Sequence, residues 1–278
     1  MLPQSRDIRG LKFMNHKKAQ EYIEQAFSKG KAFIPFITCG DPDLETTEKL
    51  VYAMENAGAN LIELGIPFSD PVAEGPVIQA ASERALKAGT TTDKIFEMVE
   101  KIRVQSEVPL AFMTYANLLF TYGLDKFLSR CKECGICCVI LPDIPFEEKG
   151  EMLDKFWEYD VKMISLIAPT SAERIQKIAA EAKGFVYCVS SLGVTGTRNE
   201  ITTDVAAMVA RVRGVQTIPC AIGFGISNPE TAAKMSEFSD GVIVGSAIVK
   251  LVEEYGRHCI GPVCDFVREM KKAIDGME

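Results

Sequence analysis

Three carboxylates draw attention in the run from Leu61 to Pro76, Leu-Ile-Glu-Leu-Gly-Ile-Pro-Phe-Ser-Asp-Pro-Val-Ala-Glu-Gly-Pro. Glu63 interrupts an apolar, strand-like stretch, while Asp70 and Glu74 fall in the Pro/Gly-rich loop that follows it. A carboxylate in such a stretch is costly unless it is paired or put to use, so Glu63 is the first candidate for acid/base chemistry.

Three glycine clusters late in the chain suit a different task. Gly193-Val-Thr-Gly196, Gly223-Phe-Gly225 and Gly245-Ser246-Ala-Ile offer backbone N–H groups, the last of them at an expected helix start. Such groups hold a phosphate without any lysine, although glycines also serve as plain turns. Other chemistries find little support. His16 and His258 lie in the N-terminal segment and beside the last connection, and no Ser/His/Asp order or His-rich ligand set is present. No Gly-x-Gly-x-x-Gly opens a first strand–helix unit, which argues against nicotinamide or flavin. A Schiff-base lysine is not evident, since Lys162 falls at the start of a strand candidate. Carbon–carbon or proton-transfer chemistry run by carboxylates remains.

The elements that must position these groups alternate. Eight short apolar runs read as strands, beginning near Phe33, Asn60, Val108, Ile136, Val161, Phe185, Ile218 and Gly241. Between them helical periodicity covers Leu44 to Ala57, Thr92 to Val104, Glu147 to Tyr159, Ala172 to Ala182 and Thr203 to Val212. Alternating strands and helices imply a parallel sheet covered on its outer face, and eight strands favour closure into a (β/α)8 barrel over an open sheet. The segment from Asn15 to Phe27 is then an added N-terminal helix, and one from about Gly261 to Ile274 closes the chain. The 278 residues are read as one domain, with 1–14 a poorly specified extension. In this arrangement Glu63, the Asp70/Glu74 loop, Asp143, the loop from Ser190 to Asn199 and Gly223 to Ser227 share the face where the strands end.

Composition narrows the partners. A formal charge of -7 without a basic stretch argues against nucleic acid. No apolar run reaches membrane-spanning length and the N-terminus lacks a signal-peptide pattern, so a cytoplasmic location is expected. The nine cysteines suggest reduced thiols. Cys131-Lys-Glu-Cys134-Gly-Ile-Cys137-Cys138 has metal-like spacing, but its last two members open an apolar strand run, with neighbours expected to face opposite ways, so no metal is assigned.

Several motifs together resemble the tryptophan synthase alpha-chain family. They are Ile34 to Pro42, Ile62 to Pro71 with Glu74 to Ile78, Tyr115-Ala-Asn117, Asp143-Ile-Pro145, Gly193 to Gly196, Gly223 to Ser227 and Gly245 to Val249, in the family's order. The resemblance implies a TIM-barrel lyase that splits indole-3-glycerol phosphate into indole and glyceraldehyde 3-phosphate. It also implies a beta-chain partner carrying pyridoxal phosphate in an alpha-beta-beta-alpha tetramer with an indole tunnel, and no cofactor in this chain. Glu63 matches the family's proton-transferring glutamate and Glu74 the second carboxylate. Phe36, Tyr115, Tyr187 and Phe224 match the substrate pocket, and Gly196, Gly225, Gly245 and Ser246 the phosphate contacts.

One departure stands out. The family's Ala-Asp-Gly-Pro is here Ala-Glu74-Gly-Pro, and an added methylene displaces the charge by about 1 Å, worth roughly 100-fold in rate unless the backbone compensates. Two rival readings follow: a different phosphate-binding barrel enzyme, disfavoured by the aromatic set, and a catalytically weak subunit that mainly activates its beta chain. The loops after the second and sixth strands are the expected moving parts.

Overall fold

The computed structural model describes residues 16–189, 205–223 and 225–276. Its strands are β1 (Ala32–Thr38), β2 (Ile62–Gly65), β3 (Leu110–Met113), β4 (Ile136–Ile140), β5 (Lys162–Ile167), β6 (Val186–Val189), β7 (Cys220–Gly223) and β8 (Gly241–Val244). They run parallel in sequential order, and β8 pairs with β1 to close the barrel. The helices up to β4 are α1 (Ala19–Phe27), α2 (Leu44–Asn56), α3 (Pro76–Lys87), α4 (Thr92–Arg103), α5 (Ala116–Tyr122) and α6 (Leu124–Glu133). Those after it are α7 (Gly150–Glu158), α8 (Ala172–Glu181), α9 (Val205–Arg213), α10 (Pro229–Ser236), α11 (Ser246–Tyr255) and α12 (Ile260–Ile274). Among the described residues no helix is long and apolar enough to cross a membrane.

Strand alternation builds two cores. Along β1, Ala32, Ile34 and Phe36 fill the barrel interior, while Phe33 and Ile37 face the helical layer. Helix starts are fixed by side-chain caps, with Asp43, Thr91, Ser171 and Asn228 each accepting from an N–H three residues on. Pro76 and Pro229 occupy first-turn positions where no N–H is needed. The N-terminal helix α1 covers the floor of the barrel, burying Tyr22, Ile23 and Ala26 beside Phe185. The expected extension, 1–14, lies outside the described residues.

Three local expectations are corrected. The N-terminal helix begins at Ala19, where Asp160 Oδ2 accepts from the Ala19 N–H at 3.2 Å, so a residue from the α7–β5 turn defines its start. α7 begins at Gly150, not Glu147, because Glu148 and Lys149 bond back to the Pro145 carbonyl in a turn. Cys137 and Cys138 do not face opposite ways: the β3–β4 register slips by one residue between Leu110 and Ala111. Both belong to the interior cluster, with sulfurs 3.7 Å apart. All nine cysteines are free and buried, and among the described residues no group of His, Cys, Asp or Glu is arranged to hold a metal ion.

A buried arginine ties the floor together. Arg103 at the end of α4 donates to the carbonyls of Val108 (2.7 Å), Cys134 and Gly135 (3.0 Å each) and Ser106 (3.3 Å). Its guanidinium lies 5.1 Å from the centre of the Tyr22 ring of α1. One planar fork therefore joins α4, the following turn, the α6–β4 turn and α1. We expect Arg103→Met to lower unfolding free energy by roughly 3 kcal/mol, read from the midpoint of a urea titration, because several carbonyls lose their donor in a buried place. Arg103→Lys should recover little of this, since an ammonium does not reproduce the fork.

Candidate active site

Glu63 occupies the barrel interior at the height where β2 pairs with Phe36 of β1 and Ala111 of β3. The strand's alternation turns Leu61, Glu63 and Gly65 inward, so the fold leaves this carboxylate no route to solvent along its own strand. It is 1% exposed, and neither carboxyl oxygen has a hydrogen-bond partner in the described protein. Burial first, and the Glu74 charge second, push its pKa up to about 8.

The cavity around it gathers Phe36, Tyr187, Gly225, Gly245 and Ser246 from the expected site residues, together with Ile78, Met113, Ile226 and Ile243. Two glycines make room for its aromatic wall. A methyl on Gly65 would fall 2.5 Å from Phe36 Cζ, and one on Gly223 would fall 2.5 Å from the Tyr187 hydroxyl. Burial, then the nearby Glu63 charge, hold the Tyr187 phenol well above its ordinary pKa, so it stays a neutral O–H beside the carboxyl.

Beside Phe36, where a methyl on Gly245 would fall 3.3 Å from Phe36 Cδ1, Gly245 precedes α11 and Ser246 is its first residue. The earliest N–H groups of this helix lack intrahelical acceptors and carry the positive end of its dipole, which suits an anion. Gly225 follows β7 with φ +79°, a conformation that a side chain would strain. Gly196 and Phe224, as well as the loop from Ser190 to Asn199, lie outside the described residues.

Glu74 and Tyr115 are brought to each other and are absent from the cavity lining around Glu63. The Tyr115 hydroxyl donates to Glu74 Oε2 at 2.5 Å and accepts from the Ala73 N–H at 3.1 Å. Phe68 stacks on the Tyr115 ring, with centroids 5.1 Å apart. Burial raises the Glu74 pKa to about 7; the hydrogen bond from Tyr115 opposes the shift and the Asp143 charge adds to it. Asp143 itself receives the Ala116 N–H at the start of α5. Asp70 is exposed and takes a hydrogen bond from Ser69. Lys162 pairs with Asp160 at 3.0 Å, at the end of the barrel where strands begin.

Sequence reading missed Ile78, Met113, Ile226 and Ile243 as cavity walls. Met113 was recoverable from parity, two residues along from inward Ala111 on a short strand, and Ile226 lies inside an already singled-out motif. Thr38 and Thr114, buried hydroxyls near the ends of β1 and β3 without partners among the described residues, gave no sequence signal.

The site can therefore seat an anionic group at α11 and an apolar body against Phe36, Met113 and Tyr187, with a proton donor in the same cavity. Comparisons with known proteins lead to one family. The family model described as "Tryptophan synthase alpha chain" matches residues 23–275. The alpha chain of Thermoanaerobacter sp. (strain X514) is 49% identical over 246 residues, covering 88% of this chain and 94% of that one. That of Alkaliphilus metalliredigens is 51% identical over 223 residues, covering 80% and 84%. Among solved structures, the alpha subunit from Legionella pneumophila superposes with a TM-score of 0.84 at 35% identity, covering 94% of this chain and all of that one. A Pyrococcus furiosus structure, described as showing mutual activation of the tryptophan synthase a2b2 complex, gives 0.80 at 35% identity over 87% and 98% of the two chains. With agreement over this length and at this identity, the chain belongs to the tryptophan synthase alpha-chain family, lyases of tryptophan biosynthesis.

Proposed function

We propose that the chain, acting as a single barrel domain in the cytoplasm, cleaves indole-3-glycerol phosphate to indole and glyceraldehyde 3-phosphate. The observation that carries this reading is the Glu63 carboxyl, unpartnered among the described residues, inside a largely apolar cavity that the start of α11 also lines. Phosphate binds the N–H groups around Gly245 and Ser246 with Gly225, and Gly196 is assigned to the same cradle. The indole ring packs against Phe36 and Tyr187, with Phe224 assigned to cover it.

With a pKa of about 8, Glu63 is mostly protonated at neutral pH and serves first as an acid. It gives its proton to indole C3, leaving an indoleninium. The same carboxylate then takes the proton of the adjacent glycerol hydroxyl. The carbonyl of glyceraldehyde 3-phosphate forms as the carbon–carbon bond breaks, and the bonding pair returns to the ring. Glu63 ends protonated, so the cycle closes without outside acid or base. Glu74, with a pKa of about 7, supplies the carboxylate that faces the indole N–H as positive charge develops. Tyr115 favours that ionised form by donating to it. The longer Glu74 side chain, where the family resemblance implies aspartate, is accommodated by this hydrogen bond. A beta chain bearing pyridoxal phosphate is the proposed partner, receiving the indole; the a2b2 assembly named for the Pyrococcus furiosus relative supports it.

Indole release from indole-3-glycerol phosphate is the direct assay, run on the chain alone and with a matching beta chain. Turnover should rise with the partner, and Glu63→Gln should lower kcat by at least about 100-fold. A tight complex without turnover would instead mark the chain as an activator only. kcat/KM should be bell-shaped, rising as Glu74 ionises and falling as Glu63 loses its proton. Tyr115→Phe should move the acidic limb to higher pH and cut activity at pH 7 roughly tenfold.

Stability offers an independent check. The Glu63 pKa rises from 4.5 to about 8 on folding, so between those values the unfolded chain holds fewer protons and stability falls as pH rises. We expect the parent to lose about 3 kcal/mol relative to Glu63→Gln between pH 5 and pH 8, measured by urea titration. Parallel pH profiles for the two proteins would show that Glu63 ionises normally.

A further inference from the structure

The outer face of β5 is incompletely covered. The other seven strands are buried along their whole length, whereas β5 keeps Lys162, Met163, Ser165 and Leu166 partly exposed, of which Met163 and Ser165 face outward. A parallel barrel strand is normally sealed by the helices beside it. Here α7 packs against α6, and α8 against α9, but α7 and α8 make no comparable contact with each other. Two cavities of about 460 and 310 Å³ lie in the resulting gap and share Lys149, Met163 and Ser165, forming one groove along the strand.

We propose that this groove binds a small aromatic anion, a ring bearing one carboxylate or sulfonate, with Lys149 as its charge anchor. The volume is that of a small-molecule site, and the walls are apolar, including Ile144, Phe146, Leu153 and Ile178. The Lys149 side chain is only 11% exposed; its ammonium sits 4.2 Å from the Phe146 ring centre and 3.3 Å from Glu181 Oε2. Glu181 is mostly exposed, so it can swing into water when another anion arrives.

Charge complementarity selects the sign of the ligand. Among the described residues four cations border the groove: Lys149, Lys162, Arg174 and Lys183. Glu147 neutralises Arg174 and Asp160 neutralises Lys162, which among the described lining residues leaves Lys149 and Lys183 against the carboxylate of Glu181. An aromatic body is favoured because Met163 forms the floor and Phe146 a wall, surfaces that pack well against a ring. Its floor residues Met163 and Ser165 face away from the barrel interior that holds Glu63, and the site does not depend on the proposed reaction.

The test is a fluorescence titration of the full chain with 1-anilinonaphthalene-8-sulfonate. One saturable site is expected that persists in excess inorganic phosphate, which occupies the anion cradle at α11. Lys149→Met, which removes the charge and keeps apolar bulk, should weaken binding about tenfold or more, and Lys149→Arg should not. Ser165→Trp, which fills the floor, should abolish binding, and it carries the test if Lys149→Met fails to fold by circular dichroism. Uncharged N-phenyl-1-naphthylamine should bind at least about tenfold more weakly than the sulfonate, a difference of about 1.4 kcal/mol. Three results would overturn the proposal: equal binding of the neutral probe, titration curves unchanged in both Lys149→Met and Ser165→Trp, or a self-association seen by sedimentation that Ser165→Trp removes.

Discussion

The central constraint is the closure of the barrel around Glu63. Once eight parallel strands close, the inward side of β2 has no water to offer, and its register places Glu63 between Phe36 and Ala111. A carboxylate held there without a hydrogen-bond partner is stable as an acid and costly as an anion. The closed sheet that makes the fold is thus also the source of the proton donor. The neighbouring groups reinforce that preference: Tyr187 stays neutral beside Glu63, and the Glu74 charge on the β2–α3 connection adds to the penalty on ionising it.

Around that carboxyl, small residues matter as much as functional ones. Phe36 lies across Gly65, and Tyr187 across Gly223, so the aromatic walls stand where strand neighbours lack side chains. The second carboxylate is organised differently. Glu74 comes from a loop and takes its position from Tyr115, which is itself held by Phe68 and the Ala73 N–H. Asp41 contributes at the same end of the barrel: it is buried and grips Arg84 of α3 with two hydrogen bonds of 2.8 and 2.9 Å, and Arg84 continues to Glu253 of α11. The loops bearing the site therefore rest on helices that also frame the anion cradle.

Much of this was legible in the chain because the controlling signals are local. Each strand is a short apolar run, the helices carry caps and 3.6-residue periodicity, and the odd carboxylate in Leu-Ile-Glu63-Leu-Gly announces itself against apolar neighbours. The glycine at the head of α11 was readable for the same reason. What escaped depends on a partner distant in sequence. The Tyr115–Glu74 hydrogen bond joins residues 41 apart, the paired sulfurs of Cys137 and Cys138 follow from a register slip against β3, and the start of α1 is set by Asp160. The gap over β5 is likewise a relation between two helices, and neither sequence segment shows it alone.

The central claim is that the barrel interior holds Glu63 protonated near neutral pH. Infrared difference spectra of the parent minus Glu63→Gln, recorded from pH 4 to pH 10, report it directly through the carboxylic C=O band. That band should persist through neutral pH and bleach with a midpoint near 8, giving way to carboxylate absorption. A midpoint close to the ordinary glutamate value of 4.5 would contradict the account, because Glu63 would then be a carboxylate at neutral pH with no proton to give.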